Sequence, residues 1–231
     1  MVARRKSLLD QLAAELQARN AIRCLPITQD LSERHAAARV RAAVNGENVR
    51  IRLLINNAAF GPWGRVEKTP AEMQEALIQL NAATPVSMCL HFLPDLTSFQ
   101  GSAIINVSSP AALQPVPYMA VYAASKTFLH NFSLALFAEW EEKGVLVQTL
   151  VPGPTATEFD AKAGAYESAL TEKRHPAADV VRASLSNMGR GTPFVTTAKG
   201  TFKQRFFSGL FPAGVVVRKV AAMFRPPDER G

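Results

Sequence analysis

The sequence predicts an α/β protein with a doubly wound parallel sheet, arranged as three layers of helix, sheet and helix. Short apolar runs, such as residues 51–55 and 145–151, alternate along the chain with longer stretches of helical periodicity. These runs lack a polar alternation, which is typical of strands covered on both faces. No repeat or linker interrupts the pattern, so we expect one domain over residues 1–231, with residues 200–231 as a basic amphipathic tail.

Local signals place each element in order. Ser7 and Asp10 form a capping-box pattern before a stripe of leucines, which predicts the first helix. Thr69-Pro70-Ala71-Glu72 combines a cap, a first-turn proline and a capping glutamate, and predicts a helix that runs towards Pro94. The predicted strands are residues 21–27, 51–55, 103–107, 145–151 and 193–196, and the other helices lie at residues 33–46, 118–137 and 176–188.

Composition excludes several classes of protein. No unbroken apolar run of about eighteen residues appears, and the basic N-terminus lacks an apolar core, so we expect neither a transmembrane helix nor a signal peptide. Cys24 and Cys89 have no CxxC neighbour, which argues against zinc and a disulfide framework. Free thiols favour a cytoplasmic protein, and the scattered histidines predict no metal site.

The net charge of +7 is compatible with nucleic acid, an anionic membrane or a phosphorylated ligand. No basic run is interleaved with stacking aromatics, so we expect no nucleic-acid binding. The tail mixes Phe, Val and Leu with Arg218 and Lys219, which suits peripheral membrane contact, a lid over a site or a solvated edge. The helix from Tyr118 to Phe137 is apolar nearly all round, which predicts a homo-oligomer.

The chemistry concentrates between residues 106 and 126. Tyr122 and Lys126 are four residues apart, so a helix places them on one face, and Ser109 ends the preceding strand. A hydroxyl, a phenol and an ammonium that converge can hold a carbonyl oxygen and move a proton to it. A nearby cation is expected to lower the phenol pKa from its ordinary value of about 10.

Asn81 lies on a mostly apolar helix face, four residues before Pro85. Because proline has no N–H, the carbonyl of Asn81 loses its normal helical donor. One interpretation is a locally stabilised kink. The other is a water site near Tyr122 and Lys126.

Taken together, these motifs resemble the short-chain dehydrogenase/reductase family, whose Rossmann-like fold binds a nicotinamide cofactor. The matching positions are Tyr122-Ala-Ala-Ser-Lys126, Ser109, Asn81, Asn56-Asn57-Ala58-Ala59, and Pro152-Gly153 with Thr157. The order of these motifs is more specific than any one of them.

The resemblance implies a role for each catalytic residue. Tyr122 is the general acid/base, and Ser109 orients the substrate oxygen. Lys126 lowers the tyrosine pKa and bonds the nicotinamide ribose, while the Asn81 carbonyl holds a water.

The resemblance also implies NADP as cofactor, with NAD possible. Asp30 falls where the family reads the adenine amino group, and Arg4 and Arg5 fall where many members hold the 2′-phosphate; an ordinary charged N-terminus is the other interpretation of these two arginines. The expected cofactor-binding residues are Arg4, Arg5, Asp30, Asn57, Ala58, Tyr122, Lys126, Pro152, Gly153, Thr155 and Thr157.

The expected substrate is a small lipophilic carbonyl or alcohol, because the residues placed around it are apolar or aromatic. They are Phe60, Trp63, Pro110, Val116, Phe159 and Tyr166. Plain loop packing is the alternative interpretation.

One departure from the family concerns cofactor binding. The family begins with a strand, a glycine-rich turn and a helix, whereas Gly46 is the first glycine here. The sequence therefore predicts a sheet that lacks the first βα unit and has an uncovered apolar edge. The alternative function is a noncatalytic homologue that binds cofactor weakly or not at all and acts as an interaction module.

Overall fold

A computed structural model describes residues 1–164 and 174–226 and confirms the three-layer α/β fold. The strands it contains are β1 (Val2–Ala3), β2 (Ile27–Thr28), β3 (Leu53–Asn56), β4 (Ser102–Val107), β5 (Val145–Val151) and β6 (Phe194–Thr196). Strands β3-β4-β5-β6 form a parallel sheet in that order, and β1 and β2 form a separate parallel pair.

Helices cover the sheet. In the described ranges they are α1 (Lys6–Arg19), α2 (Ala36–Gly46), α3 (Ala71–Ile78), α4 (Thr84–Leu96), α5 (Ala120–Glu141), α6 (Phe159–Ala163), α7 (Ala177–Met188), α8 (Thr201–Leu210) and α9 (Ala213–Phe224). Short 3₁₀ turns span Val66–Lys68 and Pro110–Leu113, and a π-helical turn spans Gln79–Ala83.

The strand register aligns the carboxyl ends of β3, β4 and β5. Asn56 pairs with Asn106 across β3 and β4, and Asn106 pairs with Thr149 across β4 and β5. The loops that follow these strands therefore open at the same edge of the sheet, where ligands bind in open parallel sheets.

Strand β3 is covered on one face only. Leu54 is 7% exposed, whereas Leu53 and Ile55 are 38% and 51% exposed. The expectation that residues 51–55 are covered on both faces is therefore wrong. Within the described residues β3 pairs with β4 alone, so its other edge is open, which agrees with the uncovered edge predicted from the sequence. Val2 and Ile27 pack against the same core cluster as Leu54, so the two sheets share one core.

Two further local predictions near the N-terminus are wrong. Helix α1 begins at Lys6 after Arg5 rather than being capped by Ser7, and Asp10 pairs with the Lys6 ammonium at 2.6 Å. Residues 21–26 are not a strand, because β1 offers only two residues for β2 to pair with. Strand formation depends on a partner, which a local apolar run does not reveal.

The helix predicted from Thr69 begins at Ala71, with Pro70 at the cap position, and continues past Pro94 to Leu96. It is widened by the π-helical turn Gln79–Ala83, which ends two residues before Pro85 and agrees with a disturbed hydrogen-bond ladder near this proline. The continuous segment Ala71–Leu96 has 26 residues and is mostly apolar. Length and composition alone would let it cross a membrane, but 44% of its most apolar stretch is buried inside the protein and contributes to the core.

A partly buried ion pair joins α2 to α4 and to the start of β3. Arg41 donates to both carboxylate oxygens of Asp95, at 2.6 and 2.8 Å, and the Ile51 N–H donates to the same carboxylate at 3.0 Å. Asp95 is 4% exposed. The Arg41 guanidinium holds the pKa of Asp95 below its ordinary value.

We predict that Asp95→Ala lowers the free energy of unfolding by about 2–4 kcal/mol, because it leaves Arg41 and the Ile51 N–H unpaired. Urea titration followed by circular dichroism measures this change. The matched control, Glu33→Ala, removes the partner of exposed Arg39 and should cost at most about 0.5 kcal/mol.

This stabilisation is also expected to depend on pH. Because the folded-state pKa of Asp95 is lowered, its contribution is present above the ordinary value of about 4 and is lost as pH falls through the lowered pKa. The difference in unfolding free energy between wild type and Asp95→Ala should therefore become smaller at acidic pH. Equal unfolding free energies for the two proteins at neutral pH would contradict the prediction.

Candidate active site

The junction of α5 with the end of β4 positions the predicted catalytic residues. The Lys126 ammonium donates to the Val107 carbonyl at 2.8 Å, and the Ser108 hydroxyl donates to the Lys126 carbonyl at 3.1 Å. Lys126 is 2% exposed. A buried cation needs such a partner, and a carbonyl at the end of the strand supplies it.

Tyr122 lies beside this junction and is 7% exposed. Its ring stands 5.5 Å from that of Phe159, and the Lys126 ammonium is 5.9 Å from its centroid. Ser109 begins the Pro110–Leu113 turn, and its hydroxyl accepts a bond from the Ala111 N–H at 3.2 Å. The structure therefore gathers Ser109, Tyr122 and Lys126 at one place.

The electrostatics differ from the prediction that Lys126 lowers the pKa of Tyr122. Burial raises the pKa of Tyr122 to about 12; a hydrogen bond with Ser109 opposes this shift, and the charge of Asp160 adds to it. Burial lowers the pKa of Lys126 to about 8. The low-dielectric surroundings thus disfavour the charged form of both groups.

Asn81 connects the loop after β3 to α5. Its side chain exchanges bonds with the backbone of Phe60, accepting from the N–H at 3.3 Å and donating to the carbonyl at 2.9 Å. It also donates to the Ser125 hydroxyl at 3.1 Å, which donates to the Tyr122 carbonyl at 2.7 Å. The side chain therefore braces the Tyr122 helix, while a water on its backbone carbonyl stays a prediction.

Several residues support the site in ways that the sequence did not predict, although Asn56 is one of the family-matching positions. Asn56 donates to the Asn106 side chain at 2.8 Å, and Asn106 donates to the Ser133 hydroxyl at 2.9 Å, so a polar chain links β3, β4 and α5. The sequence contained a signal for the role of Asn106, because this polar residue interrupts an otherwise apolar strand. Gly61 was also missed: a Cβ placed there would stand 2.3 Å from the Tyr122 ring.

The predicted cofactor residues follow the strands at the same edge. Arg4 and Arg5 come directly after β1, and Asn57 and Ala58, which are exposed, come directly after β3. Asp30 follows β2; it accepts bonds from the Ser32 N–H and hydroxyl at 2.9 and 2.6 Å, and Arg4 is 3.7 Å away.

Arg5 contacts the segment that follows β5. Its guanidinium donates to both Glu158 oxygens, at 2.8 and 3.4 Å, although 153 residues separate the two in sequence. Glu158 also binds Lys162. Arg5 and then Lys162 lower the pKa of Glu158 to about 2. Both arginines expected to meet a phosphate are therefore already paired with carboxylates, Arg5 with Glu158 and Arg4 with Asp30.

The loop after β5 is closely packed. The Gly153 N–H donates to the Thr197 hydroxyl at 3.0 Å, and a Cβ at Gly153 would stand 3.1 Å from His175 and from the Thr197 carbonyl. The hydroxyl of Thr155 donates to the Gly153 carbonyl at 2.7 Å. This loop, which begins at Pro152, holds Thr157 at the exposed carboxyl edge, where its hydroxyl accepts the Phe159 N–H.

Most of the predicted substrate-facing residues gather around Tyr122. Phe60, Trp63, Val116 and Phe159 pack into one cluster with it. Pro110 begins the 3₁₀ turn after Ser109. Tyr166 lies outside the described residues.

The inner face of α9 completes this cluster. Val216, Val220 and Phe224 contribute to it from consecutive turns. The Trp63 indole N–H donates to the Phe224 carbonyl at 2.9 Å, and their rings stack at 5.2 Å. The tail therefore covers the site, as the lid interpretation predicts.

We predict that Gly61→Ala lowers the free energy of unfolding by about 1–3 kcal/mol, because the new methyl group overlaps the Tyr122 ring. The matched control is Gly46→Ala, where nothing lies within 4 Å and a helical position favours alanine. Urea titration of both variants measures the difference. Equal stability of the two variants would show that Gly61 and Tyr122 are not in tight contact.

Comparison with known proteins gives a consistent assignment. The family model described as short chain dehydrogenase matches residues 1–168. A short chain dehydrogenase of Pseudocercospora fijiensis is 30% identical over 189 residues, covering 80% of this chain and 60% of that protein. A very-long-chain 3-oxoacyl-CoA reductase of Anas platyrhynchos is 30% identical over 164 residues, covering 69% of this chain and 52% of that protein.

Solved structures agree with the fold. A short-chain dehydrogenase from Sphingobium yanoikuyae, in complex with NADPH, superimposes with a TM-score of 0.79 at 28% identity, covering 93% of this chain and 83% of that one. The chain spans 60% and 52% of the lengths of the two curated relatives. With residues 1–168 matched by the family model and the Ser109, Tyr122 and Lys126 side chains brought together, this chain belongs to the short chain dehydrogenase family.

Proposed function

We propose that the protein is an oxidoreductase that transfers a hydride between NADP(H) and a carbonyl or alcohol substrate, with Tyr122 as general acid/base. The observation that carries the proposal is the convergence of Ser109, Tyr122 and Lys126 at the carboxyl edge of the sheet. Membership of the family supports this reaction class.

Each side chain has a role that its surroundings support. With a pKa of about 12, Tyr122 keeps its proton at neutral pH and can donate it from its phenol to a substrate oxygen. The Ser109 hydroxyl, which interacts with that phenol, orients the same oxygen. Lys126, when protonated, stabilises the phenolate that remains.

The residues at the carboxyl edge fit part of a nicotinamide dinucleotide. Arg4 and Arg5 offer cations for a 2′-phosphate, and exposed Asn57, Ala58 and Thr157 offer polar and backbone groups nearby. When bound, NADP(H) supplies or accepts the hydride. The pyrophosphate finds no glycine cradle before β3, since Gly46 at the end of α2 is the single glycine there. The neighbour that holds NADPH supports NADP as the cofactor.

A lipophilic substrate is favoured by the walls of the site. Phe60, Trp63, Val116 and Phe159 present apolar surface around Tyr122. The relative named as a very-long-chain 3-oxoacyl-CoA reductase supports the same class.

A homo-oligomer through the outer face of α5 belongs to the same proposal. Phe128 is 48% exposed and stacks on Phe132 at 6.1 Å, and Leu90 of α4 is 60% exposed. A second copy would cover these apolar groups.

A noncatalytic homologue is the second candidate, and the open edge of β3 favours it. Leu53 and Ile55 are exposed at a place where a further strand and helix would cover them. Arg4 and Arg5 follow β1, which belongs to the separate β1–β2 pair and not to the main sheet. If this candidate is correct, NADPH will show no saturable binding in a fluorescence titration of the purified chain.

We predict that Tyr122→Phe lowers kcat/KM with NADPH and a lipophilic ketone by roughly 10²–10⁴-fold, since the proton donor is removed while the ring is kept. Oxidation of NADPH followed by absorbance measures the rate. Tyr118→Phe makes the same chemical change four residues earlier, at a hydroxyl that binds Arg225, and should lower the rate far less than Tyr122→Phe does. Equal rates for Tyr122→Phe and wild type would contradict the role of Tyr122.

We predict a fall in kcat/KM above pH of about 8, because Lys126 loses its proton there and no longer stabilises a phenolate. A pH profile from about pH 6 to about pH 10 measures this limb. In Lys126→Arg the guanidinium stays protonated, so the residual activity should lack the limb. A wild-type profile that stays flat through this range would contradict the assignment.

We predict that Glu158→Gln strengthens NADPH binding by at most about fivefold. In the wild type Arg5 must give up its ion pair with the Glu158 carboxylate before it binds the 2′-phosphate, and the variant removes this cost. Fluorescence titration measures the dissociation constant. NADH, which lacks that phosphate, is the internal control and should bind both proteins equally. An equal gain for NADH and NADPH would show that Arg5 does not meet the 2′-phosphate.

A further inference from the structure

The positive charge of this chain is concentrated near its C-terminus. Residues 180–227 contain eight Lys or Arg and no Asp or Glu, whereas the remaining residues carry 18 Lys or Arg and 19 Asp or Glu. The basic residues are Arg182, Arg190, Lys199, Lys203, Arg205, Arg218, Lys219 and Arg225. The net charge of +7 therefore originates in this segment, which attracts anionic surfaces.

Helix α9 has two distinct faces. Its inner face packs onto the Tyr122 cluster through Val216, Val220 and Phe224. Its outer face presents Val215 and Met223, which are 49% and 60% exposed. Exposed Lys219 lies between them, one turn from each, and exposed Arg218 lies one turn from Val215 on its other side.

Large apolar side chains are also exposed at the corner between α8 and α9. Phe206, Leu210 and Phe211 are 57%, 63% and 48% exposed. Single exposed apolar residues are ordinary, but a succession of large ones beside cations marks an interaction surface. We call Phe206, Leu210, Phe211, Val215 and Met223, with Arg218 and Lys219, the tail surface.

We propose that the tail surface docks on an anionic lipid bilayer, with its apolar side chains in the headgroup–acyl boundary and its cations on lipid phosphates. Alternating apolar and cationic groups without a carboxylate suit that boundary. A symmetric pairing with a second copy would set Arg218 and Lys219 of one copy against those of the other, which disfavours a dimer here. Nucleic acid would leave Leu210, Val215 and Met223 in contact with phosphate and water.

This inference rests on the proposed function and narrows its substrate class. Helix α9 exposes Met223 and Lys219 on its outer face. On its inner face, Val220 packs in the cluster that contains Tyr122, so the helix forms a wall of the site. Trp63 holds its C-terminal end through the Phe224 carbonyl, and Arg225 donates to the Tyr118 hydroxyl at 3.2 Å. A bilayer on the tail surface would thus lie against the roof of the site, so the substrate is a ketone or alcohol that partitions into lipid.

The test is sedimentation of the full chain, without cofactor, with vesicles of phosphatidylcholine alone or mixed with phosphatidylglycerol. We expect binding to the anionic vesicles that weakens in high salt, and little binding to the neutral ones. Arg218→Glu/Lys219→Glu should weaken the anionic binding by about tenfold or more. The control, Arg34→Glu/Lys143→Glu, makes the same change in net charge at exposed sites on other elements and should bind as wild type.

A second variant, Met223→Asp, tests the apolar part and should also weaken binding, with far-UV circular dichroism confirming that each variant folds. Equal binding to both vesicle types, no binding, or an equal loss in the Arg34/Lys143 control would overturn the proposal. The proposal would also be overturned by a dimer in sedimentation velocity, or by a complex with duplex DNA, if that assembly depended on Arg218 and Lys219 while vesicle binding did not. Turnover of a water-soluble ketone is assayed separately, so vesicle binding can fail while Tyr122-dependent activity persists, or the reverse.

Discussion

The attachment of α5 to the end of β4 is the contact on which the candidate site depends. Lys126 reaches back to the Val107 carbonyl, and Ser108 reaches forward to the Lys126 carbonyl, so each element satisfies a buried polar group of the other. The Ser108 N–H in turn donates to the Leu150 carbonyl at 2.7 Å, which continues the ladder to β5. Because these bonds fix the first turns of α5 against the strand end, Tyr122 can reach Ser109.

Burial of that junction also sets its electrostatics. A low dielectric favours a neutral phenol and a neutral amine, so the pKa of Tyr122 rises while that of Lys126 falls. The site is thereby prepared to donate a proton at neutral pH. It tolerates this burial because its other polar side chains are paired: Asn81 with the Phe60 backbone and Ser125, and Asn106 with Asn56 and Ser133.

Local sequence pattern predicted the parts of the fold that depend on local interactions. The buried runs at β4 and β5, the helix that carries Tyr122 and the disturbed helix near Pro85 were all visible in the sequence, and the resemblance to the family is confirmed. Apart from the Ser7 cap, which is a local error, the errors concern interactions between distant residues. Strand β2 is short because its partner β1 has only two residues, and the pKa of Tyr122 is raised because its side chain is buried. The Arg5–Glu158 pair joins residues 153 positions apart, which no spacing rule reaches.

The central claim is that this chain uses Tyr122 and Lys126 to exchange a hydride between NADP(H) and a lipophilic carbonyl. The most direct measurement incubates the purified chain with a lipophilic ketone and NADPH deuterated at the hydride-donating nicotinamide carbon, and follows the product by mass spectrometry. The account predicts an alcohol that carries one deuterium on its former carbonyl carbon, formed by the wild-type chain. Unchanged ketone, or an alcohol without the label, would contradict it.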